Sequence, residues 1–383
     1  MTSEGDAMSA INATWIMHPG AYIKEEMEER DWSQRDLAFI LGCSEQVINP
    51  ILNGKRGISP EMAKALGEAF DVPAEFFANL QQAYDLAQAR KPDPGVAARR
   101  TMQSAYPVRE MIKRGWIEQS DTAMLETQLV RFFKVNSSSE IPYFPHAAKK
   151  SSYEERNIPA IQLAWLFRVR QIAESISVPK YSEKALRQAV QGDLPPLMTA
   201  PDEIRHVPAI MLDCGIRFVV VEKLPNAKID GVCFWLDDTS PVIGISTQHD
   251  RIDNFWFVLR HEIEHVLQRH GMGVENEIVD VDLDADTTLF SGEERIANLA
   301  AADFCAPTER LNNFLLRKKP FYYEKDVIAF ARIVERHPGI VIGQIHRKLD
   351  RYDYLRRHLA KIRQFLLPGS IADGWGQSVS VSL

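Results

Sequence analysis

Two histidines and a glutamate in the second half of the chain have the spacing of a metal centre. They are His261, Glu262 and His265, in the stretch DNFWFVLRHEIEHVLQRH. On a helix, side chains four residues apart leave the same face, so both imidazoles could reach one Zn²⁺ ion at roughly 2.0–2.1 Å. In the H-E-x-x-H arrangement the glutamate acts as general base on a water, and zinc lowers the pKa of that water to about 7. The spacing therefore predicts a zinc site with the chemistry of peptide hydrolysis.

The helix that carries this motif is predicted to be anchored in a core. Its apolar residues recur at the spacing of one helical face: Phe255, Val258, Leu259, Val266 and Leu267. The alternative is a surface helix that happens to carry two imidazoles, and the apolar face argues against it.

A catalytic zinc needs a third protein ligand and one open position. The residues alone leave several candidates, of which Glu264 and His270 point off the face shared by the two histidines. Glu294 begins a helix of small residues, ERIANLAAADF, that could pack closely, but spacing does not choose between it and Glu293. The remaining candidates are the acids of the loop that follows the motif: Glu275, Glu277, Asp280, Asp282, Asp284 and Asp286.

Residues 200–350 resemble the ImmA/IrrE family of metallo-endopeptidases. The resemblance rests on HEIEH, on EERIANLAAADFCAP about 30 residues later, and on HPGIVIGQIHRKL. It implies a zincin-like fold with Glu294 as the third ligand, because Glu294 and Asn298 match the family's E-x-x-A-N pattern. One departure is Glu264, where the family often has glycine.

The zincin-like fold implies a substrate laid along an edge strand. The strand within PVIGIS is the candidate for that edge. His249 and Arg251 are close enough in sequence to be considered as oxyanion donors, although a solvated loop is the better explanation of both.

A second constellation lies in residues 33–53, which read as helix, short turn, helix. Ser33, Ser44 and Ser59 are predicted as N-caps. Residues 18–90 resemble the Xre/Cro-type helix-turn-helix domain of HigA-type antitoxins, in HPGAYIKEEMEERDWSQRDLA, LNGKRGISPEMAKAL and NLQQAYDLA. The resemblance implies that Gln34 and Lys55 contact DNA phosphates. The residues implied to face bases are Ser44, Glu45, Gln46 and Asn49.

The charge of this segment only partly fits a DNA-binding surface. Residues 18–90 contain seven Lys/Arg and twelve Asp/Glu, a net of −5, whereas DNA-binding domains usually carry a basic patch. Only Lys55 and Arg56 lie where phosphates would be, so a monomer should bind weakly and a homodimer on a palindromic operator would compensate. Pro50 cannot donate to Gln46 and should distort the second helix. A helical bundle that binds only protein is the alternative.

The whole chain, 383 residues long with a net charge of −7, is predicted to be mainly helical with one small β-sheet. We expect a helix-turn-helix domain over 18–90, a helical connector over 91–200 and a zincin-like domain over 201–367. The residues 368–383 should be a disordered tail. No apolar run reaches the roughly 18 residues of a membrane span, no secretory signal is evident, and the four scattered cysteines suit a reducing cytoplasm.

The sequence thus predicts a regulator with two activities: operator binding, and zinc-dependent endopeptidase activity toward a protein such as a repressor or an antitoxin or toxin partner. The alternative is a non-catalytic helix-turn-helix antitoxin or transcription factor that uses the zincin-like domain to sense a metal or a stress. The intact Glu262 favours the enzyme, because a scaffold has no need of a general base.

Overall fold

The computed structural model describes residues 16–137, 159–270, 272, 278–280 and 292–381. The chain divides into two compact units, with the division between Asp93 and Pro94. Within the described residues, the first unit contains five α-helices, and the second contains thirteen α-helices and one five-stranded sheet. The predicted fold class, mainly helical with a small sheet, is confirmed. Among the described residues, none of the helices has the length and apolar character needed to cross a membrane.

The first unit is a small bundle in which three of the five helices begin directly after the predicted caps. The Ser33 hydroxyl accepts from the Asp36 amide while the Asp36 carboxylate accepts from the Ser33 amide, and the Ser59 hydroxyl accepts from the Met62 amide. Ser44 also precedes its helix, but makes no side-chain cap bond. The helices are α1 Pro19–Glu29, α2 Gln34–Ile40, α3 Glu45–Leu52, α4 Pro60–Phe70 and α5 Ala74–Gln88.

Helix α3 continues past Pro50 to Leu52. Pro50 lacks a backbone N–H, so the helix loses one hydrogen bond, but it does not end there. The Pro50 carbonyl accepts from the amides of Lys55 (2.8 Å) and Arg56 (3.1 Å). Gly54 lies between them and α3 at a φ of +66°, a conformation that favours glycine. This turn fixes the backbone of Lys55 directly after α3.

The second unit begins with helices that the sequence assigned to a connector. They are α6 Gly95–Ala105, α7 Val108–Lys113, α8 Thr122–Phe133, α9 Ala160–Ser175, α10 Glu183–Gln188 and α11 Leu194–Leu197. Helix α12 Val207–Asp213 follows, within the range predicted for the zincin-like domain. A π-helical turn, 189–193, joins α10 to α11, and a 3₁₀ turn, 201–206, precedes α12.

The sheet of the second unit is mixed. Its strands are β1 Arg217–Val221, β2 Gly231–Trp235, β3 Pro241–Ile245, β4 Ile278–Asp280 and β5 Ile371–Asp373, in the order β4-β2-β3-β1-β5. Strands β2 and β3 form the predicted hairpin, while β1 runs parallel to β3 and β5. The strand in PVIGIS, which is β3, pairs on both sides. The prediction that it is an edge strand is therefore wrong.

Apolar residues cover both faces of this sheet. Val219 and Val221 of β1 share a core with Trp165 of α9, and the Trp165 indole donates to the Val221 carbonyl at 2.9 Å. Phe218 and Val220 share the opposite core with the helix that carries the histidines. The structure thus revises the predicted division at residue 200. The helices of the connector bury the strands of the next domain, and the two form one unit.

The described part of the tail, 368–381, is ordered, contrary to the prediction of a disordered tail over 368–383. Strand β5 pairs with β1, with Val219 opposite Ile371 and Val221 opposite Asp373. The buried Asp373 carboxylate accepts from the Trp116 indole at 2.8 Å and from the Arg168 guanidinium at 3.1 Å. Its terminal position suggested disorder, but these long-range partners hold the segment in the core.

The remaining helices are α13 Ile252–Leu267, α14 Gly292–Cys305, α15 Thr308–Lys318, α16 Glu324–Ile333, α17 Pro338–Leu349 and α18 Arg363–Leu366. Every residue of α13 is buried. It lies against strands β2 and β3 and packs along α14 and α17. These contacts fix the position of the H-E-x-x-H motif.

Candidate metal centre and helix-turn-helix domain

The two histidines of α13 converge on one carboxylate of α14. The Nε2 atoms of His261 and His265 are 2.9 Å apart. Glu294 places Oε2 at 3.3 Å from the first and Oε1 at 3.4 Å from the second. One donor atom from each of the three residues lies within 4.8 Å of the others. Among the described residues, this is the one group of three potential ligands that meets so closely.

Small residues allow α14 to approach α13 this closely. Ala297 and Ala301 are fully buried between Glu294 and the end of the helix. His261 and His265 have no exposed surface, whereas the Glu294 side chain is 18% exposed. Solvent therefore reaches the cluster on the side of α14.

Burial keeps the imidazole of His265 neutral. It lowers the pKa of His265 to about 2, and the neighbouring His261 and His270 act in the same direction. A neutral imidazole has a free lone pair on one ring nitrogen, which is the form that binds a metal.

The outward ring nitrogens of the two histidines also have partners. His261 Nδ1 lies 3.2 Å from Oδ1 of Asn298, and His265 Nδ1 lies 2.9 Å from Nδ1 of His270. Asn298 is one turn after Glu294 on α14, so both side chains leave the same face. The Glu293 carboxylate faces His270 instead, with Oε1 at 4.0 Å from His270 Nε2.

Glu262 is fully buried and lies beneath strand β2 at Gly231. A β-carbon at Gly231 would lie 2.5 Å from Glu262 Oε1. Any larger residue at 231 would displace the carboxylate, so this glycine reserves the space that Glu262 occupies.

The other candidates from the sequence are engaged elsewhere or cannot be placed. Glu264 accepts from Arg260 and Gln268, each at 2.7 Å, and Arg251 pairs with Asp253. His249 contacts Gln248 at 3.3 Å. The side chains of the loop acids lie outside the described residues: Glu275, Glu277, Asp280, Asp282, Asp284 and Asp286.

In the first unit, the residues predicted to face DNA bases lie on or just before α3. Ser44, Glu45, Gln46 and Asn49 are all exposed, as is Lys55. Glu45 pairs with Arg35 at 3.2 Å, and Asn49 accepts from Asn53 at 2.6 Å. Gln34 is half-buried and donates to the Glu45 carbonyl at 3.2 Å. It therefore ties α2 to α3 in this structure, and phosphate contact stays a prediction.

Known proteins resemble this unit. A helix-turn-helix family model matches residues 23–77. The HTH-type transcriptional regulator YddM of Escherichia coli (strain K12), described as uncharacterized, is 33% identical over 73 residues, which cover 19% of this chain and 78% of that protein. Through this unit, the chain belongs to the helix-turn-helix family. The predicted N-terminal helix-turn-helix domain is confirmed.

Two further matches concern the same helix-turn-helix domain. Virulence-associated protein A' of Dichelobacter nodosus is 39% identical over 72 residues, 18% of this chain, and the chain spans 63% of that relative's length. The solved structure of Pseudomonas aeruginosa antitoxin HigA with higBA promoter is 43% identical, with 18% of this chain and 78% of that chain covered and a TM-score of 0.18.

From the sequence, His270 and Glu293 were only rival ligands, and Asn298 was only part of the E-x-x-A-N pattern. The contacts of Asn298 with His261 and of His270 with His265 were not predicted. For Asn298 a signal existed, because it lies four residues after Glu294 on the same helix. For His270 there was none, because the backbone turns at Arg269, where φ is +56°.

Proposed function

We propose that this protein is a DNA-binding regulator whose second unit is a zinc-dependent endopeptidase. The observation that carries the proposal is the convergence of His261, His265 and Glu294 beside the buried carboxylate of Glu262. The proposal agrees with the resemblance of residues 200–350 to ImmA/IrrE peptidases.

The distances between the three side chains fit a zinc site. With zinc–ligand bonds of roughly 2.0–2.1 Å, two ligands of a tetrahedral site are roughly 3.3 Å apart. Here the two Nε2 atoms are 2.9 Å apart, and Glu294 presents a different carboxylate oxygen to each of them, at 3.3 and 3.4 Å. Two imidazoles and one carboxylate also form a donor set of the catalytic type, in which water or substrate takes the fourth position.

The chain's own residues would then divide the work of hydrolysis. Zinc, when bound, supplies a Lewis acid that polarises the peptide carbonyl and makes a water molecule acidic. Glu262 would take a proton from the attacking water as the water oxygen adds to the carbonyl carbon, and would return a proton to the leaving nitrogen. The C–N bond would then break, with one water molecule consumed for each bond.

A second candidate function is metal sensing without catalysis. The observation that favours it is the complete burial of His261, Glu262 and His265, since a catalytic zinc must admit substrate. Glu262 favours the peptidase, because a metal sensor has no use for a general base.

For the helix-turn-helix domain we propose weak binding to operator DNA, strengthened by homodimerisation. Membership of the family supports this, as does the exposure of Ser44, just before α3, and of Gln46 and Asn49 on α3. The likeness to a relative named as a transcriptional regulator agrees with it. The net charge of −5 over 18–90 explains why a single domain should bind weakly.

The peptidase proposal is tested with the Glu262→Gln variant as a trap. Glutamine is nearly the size of glutamate but cannot accept the proton, so a protein substrate should stay bound and co-purify. Elemental analysis should find about one zinc per chain in this variant and in the wild type, given one three-ligand site. A wild-type protein that takes up no zinc would contradict both candidate functions.

A further inference from the structure

The partners of the outward ring nitrogens suggest roles for two residues that are not ligands. This inference rests on the proposed zinc site. If Nε2 of each histidine faces the metal, Nδ1 must carry the proton, and the group opposite Nδ1 must accept a hydrogen bond. An acceptor there selects the tautomer and fixes the ring plane.

Asn298 meets this requirement for His261. Its Oδ1 lies 3.2 Å from His261 Nδ1, and an amide oxygen can only accept. The preceding turn of α14 carries Glu294 on the same face, so α14 supplies both one ligand and one hydrogen-bond acceptor. The acceptor holds the His261 ring so that the Nε2 lone pair points toward Glu294.

His270 meets the requirement for His265, and its own position is fixed by backbone contacts. The His270 amide donates to the His265 carbonyl at 2.9 Å, and its carbonyl accepts from the Trp235 indole at 3.0 Å. Its Nδ1, 2.9 Å from His265 Nδ1, would accept the proton that His265 donates. The His270 proton then lies on Nε2, which faces Glu293 at 4.0 Å, beyond hydrogen-bond distance.

We propose that Asn298 and His270 are positioning residues that orient the two zinc-binding imidazoles and raise the affinity for zinc. Glu293 is too distant from His270 to contribute much. Asn298 and His270 therefore have a role in zinc binding that Glu293, although it is next to Glu294 in the sequence, does not share.

The test is the zinc dissociation constant of the full chain, measured by competition with a chromophoric chelator. Asn298→Leu and His270→Phe remove the acceptors with little change in volume, and each should weaken zinc binding roughly 10- to 100-fold. Asn298→Asp and His270→Asn keep an oxygen acceptor near the same place and should stay within roughly threefold of wild type. Glu293→Gln is the matched control and should also stay within roughly threefold.

Unfolding of the metal-free proteins separates a role in binding from a role in packing. The expected result is weaker zinc binding by variants whose metal-free unfolding midpoints match the wild type. If a bulky variant fails to fold, Asn298→Ala or His270→Ala carries the same expectation. Variants that fold and bind zinc like the wild type would overturn the positioning roles and leave the zinc site intact. A wild type without zinc affinity would remove the site itself.

Discussion

The two candidate sites of this protein differ in how their residues are brought together. In the helix-turn-helix domain, Ser44, Gln46 and Asn49 are exposed within one short segment, made of α3 and the residue before it. In the second unit, His261, His265 and Glu294 come from two helices separated in the chain, and both histidines are inaccessible to solvent. The positions of exposed site residues depend on local caps and turns, whereas the positions of buried site residues depend on the packing of the whole unit. Substitutions should therefore have larger effects in the second unit.

The largest effect is expected at Glu294. Glu294→Ala leaves two histidines and should weaken zinc binding by about three orders of magnitude, since zinc sites distribute about 10–16 kcal/mol among their ligands. Glu293→Ala, one residue away, should leave binding nearly unchanged, because its carboxylate faces His270 instead. Equal zinc affinities of the two variants, measured by chelator competition, would show that the cluster is not the site.

The next effect concerns the stability of the second unit. Asp373→Ala leaves the buried Arg168 guanidinium without its carboxylate, which should cost about 3–5 kcal/mol of unfolding free energy. Ser59→Ala removes one cap in the helix-turn-helix domain and should cost about 1 kcal/mol. Asp238→Ala, at the exposed hairpin turn, is the control and should change stability by less than about 0.5 kcal/mol.

Denaturant unfolding of the full chain, followed by hydrogen exchange in each unit, measures these differences. If the tail only lies on the surface, Asp373→Ala should lower the free energy of unfolding as little as Asp238→Ala does.

The same difference explains how much the sequence revealed. The helices of the first unit follow from Ser33, Ser59 and Gly54, whose effects act within a few residues. The H-E-x-x-H spacing likewise predicted His261 and His265 as zinc ligands without any tertiary information. The choice of Glu294 over Glu293 came from a resemblance, and spacing could not supply it. Other features could not be predicted from local sequence. The ordering of β5 and the central position of β3 depend on partner strands far away in the sequence. The contact of His270 with His265 depends on a backbone turn that composition does not encode.

A moderate effect is expected on DNA binding. Lys55→Glu should weaken binding to all sequences and reduce the slope of log affinity against log salt by about one. Gln46→Ala should mainly reduce discrimination between operator and unrelated DNA. Lys64→Glu, an exposed charge on α4, is the matched control for net charge. If the wild-type chain does not bind the promoter of its own operon at low salt, the domain is a protein-binding module.

The smallest effect concerns a cap at the start of α1. His18 Nδ1 accepts from the Gly20 amide at 2.9 Å, and His337 caps α17 in the same way at 3.1 Å. Burial holds the pKa of His18 below its usual value, although Asp85 lies nearby. The unfolded chain therefore binds a proton on His18 more readily than the folded chain does. The contribution of His18 to the free energy of unfolding is lost as the pH falls below about 6.5, the pKa of histidine in the unfolded chain.

Replacing His18 with asparagine tests this pH dependence, because asparagine caps a helix without titrating. Hydrogen exchange of the α1 amides should accelerate less in His18→Asn than in the wild type between about pH 7.5 and 5.5, after correction for the intrinsic exchange rate. An identical change in both proteins would show that the cap does not titrate.

Glu262 is proposed to act as the general base of peptide hydrolysis at a zinc site. The most direct measurement is cleavage of the protein captured by the Glu262→Gln trap, followed by mass spectrometry of the new termini. Zinc-loaded wild type should cut the captured protein at a defined peptide bond and lose this activity with a chelator. The Glu262→Gln variant, carrying the same amount of zinc, should leave the protein intact. Cleavage at equal rates by both proteins, or by neither, would contradict the proposal.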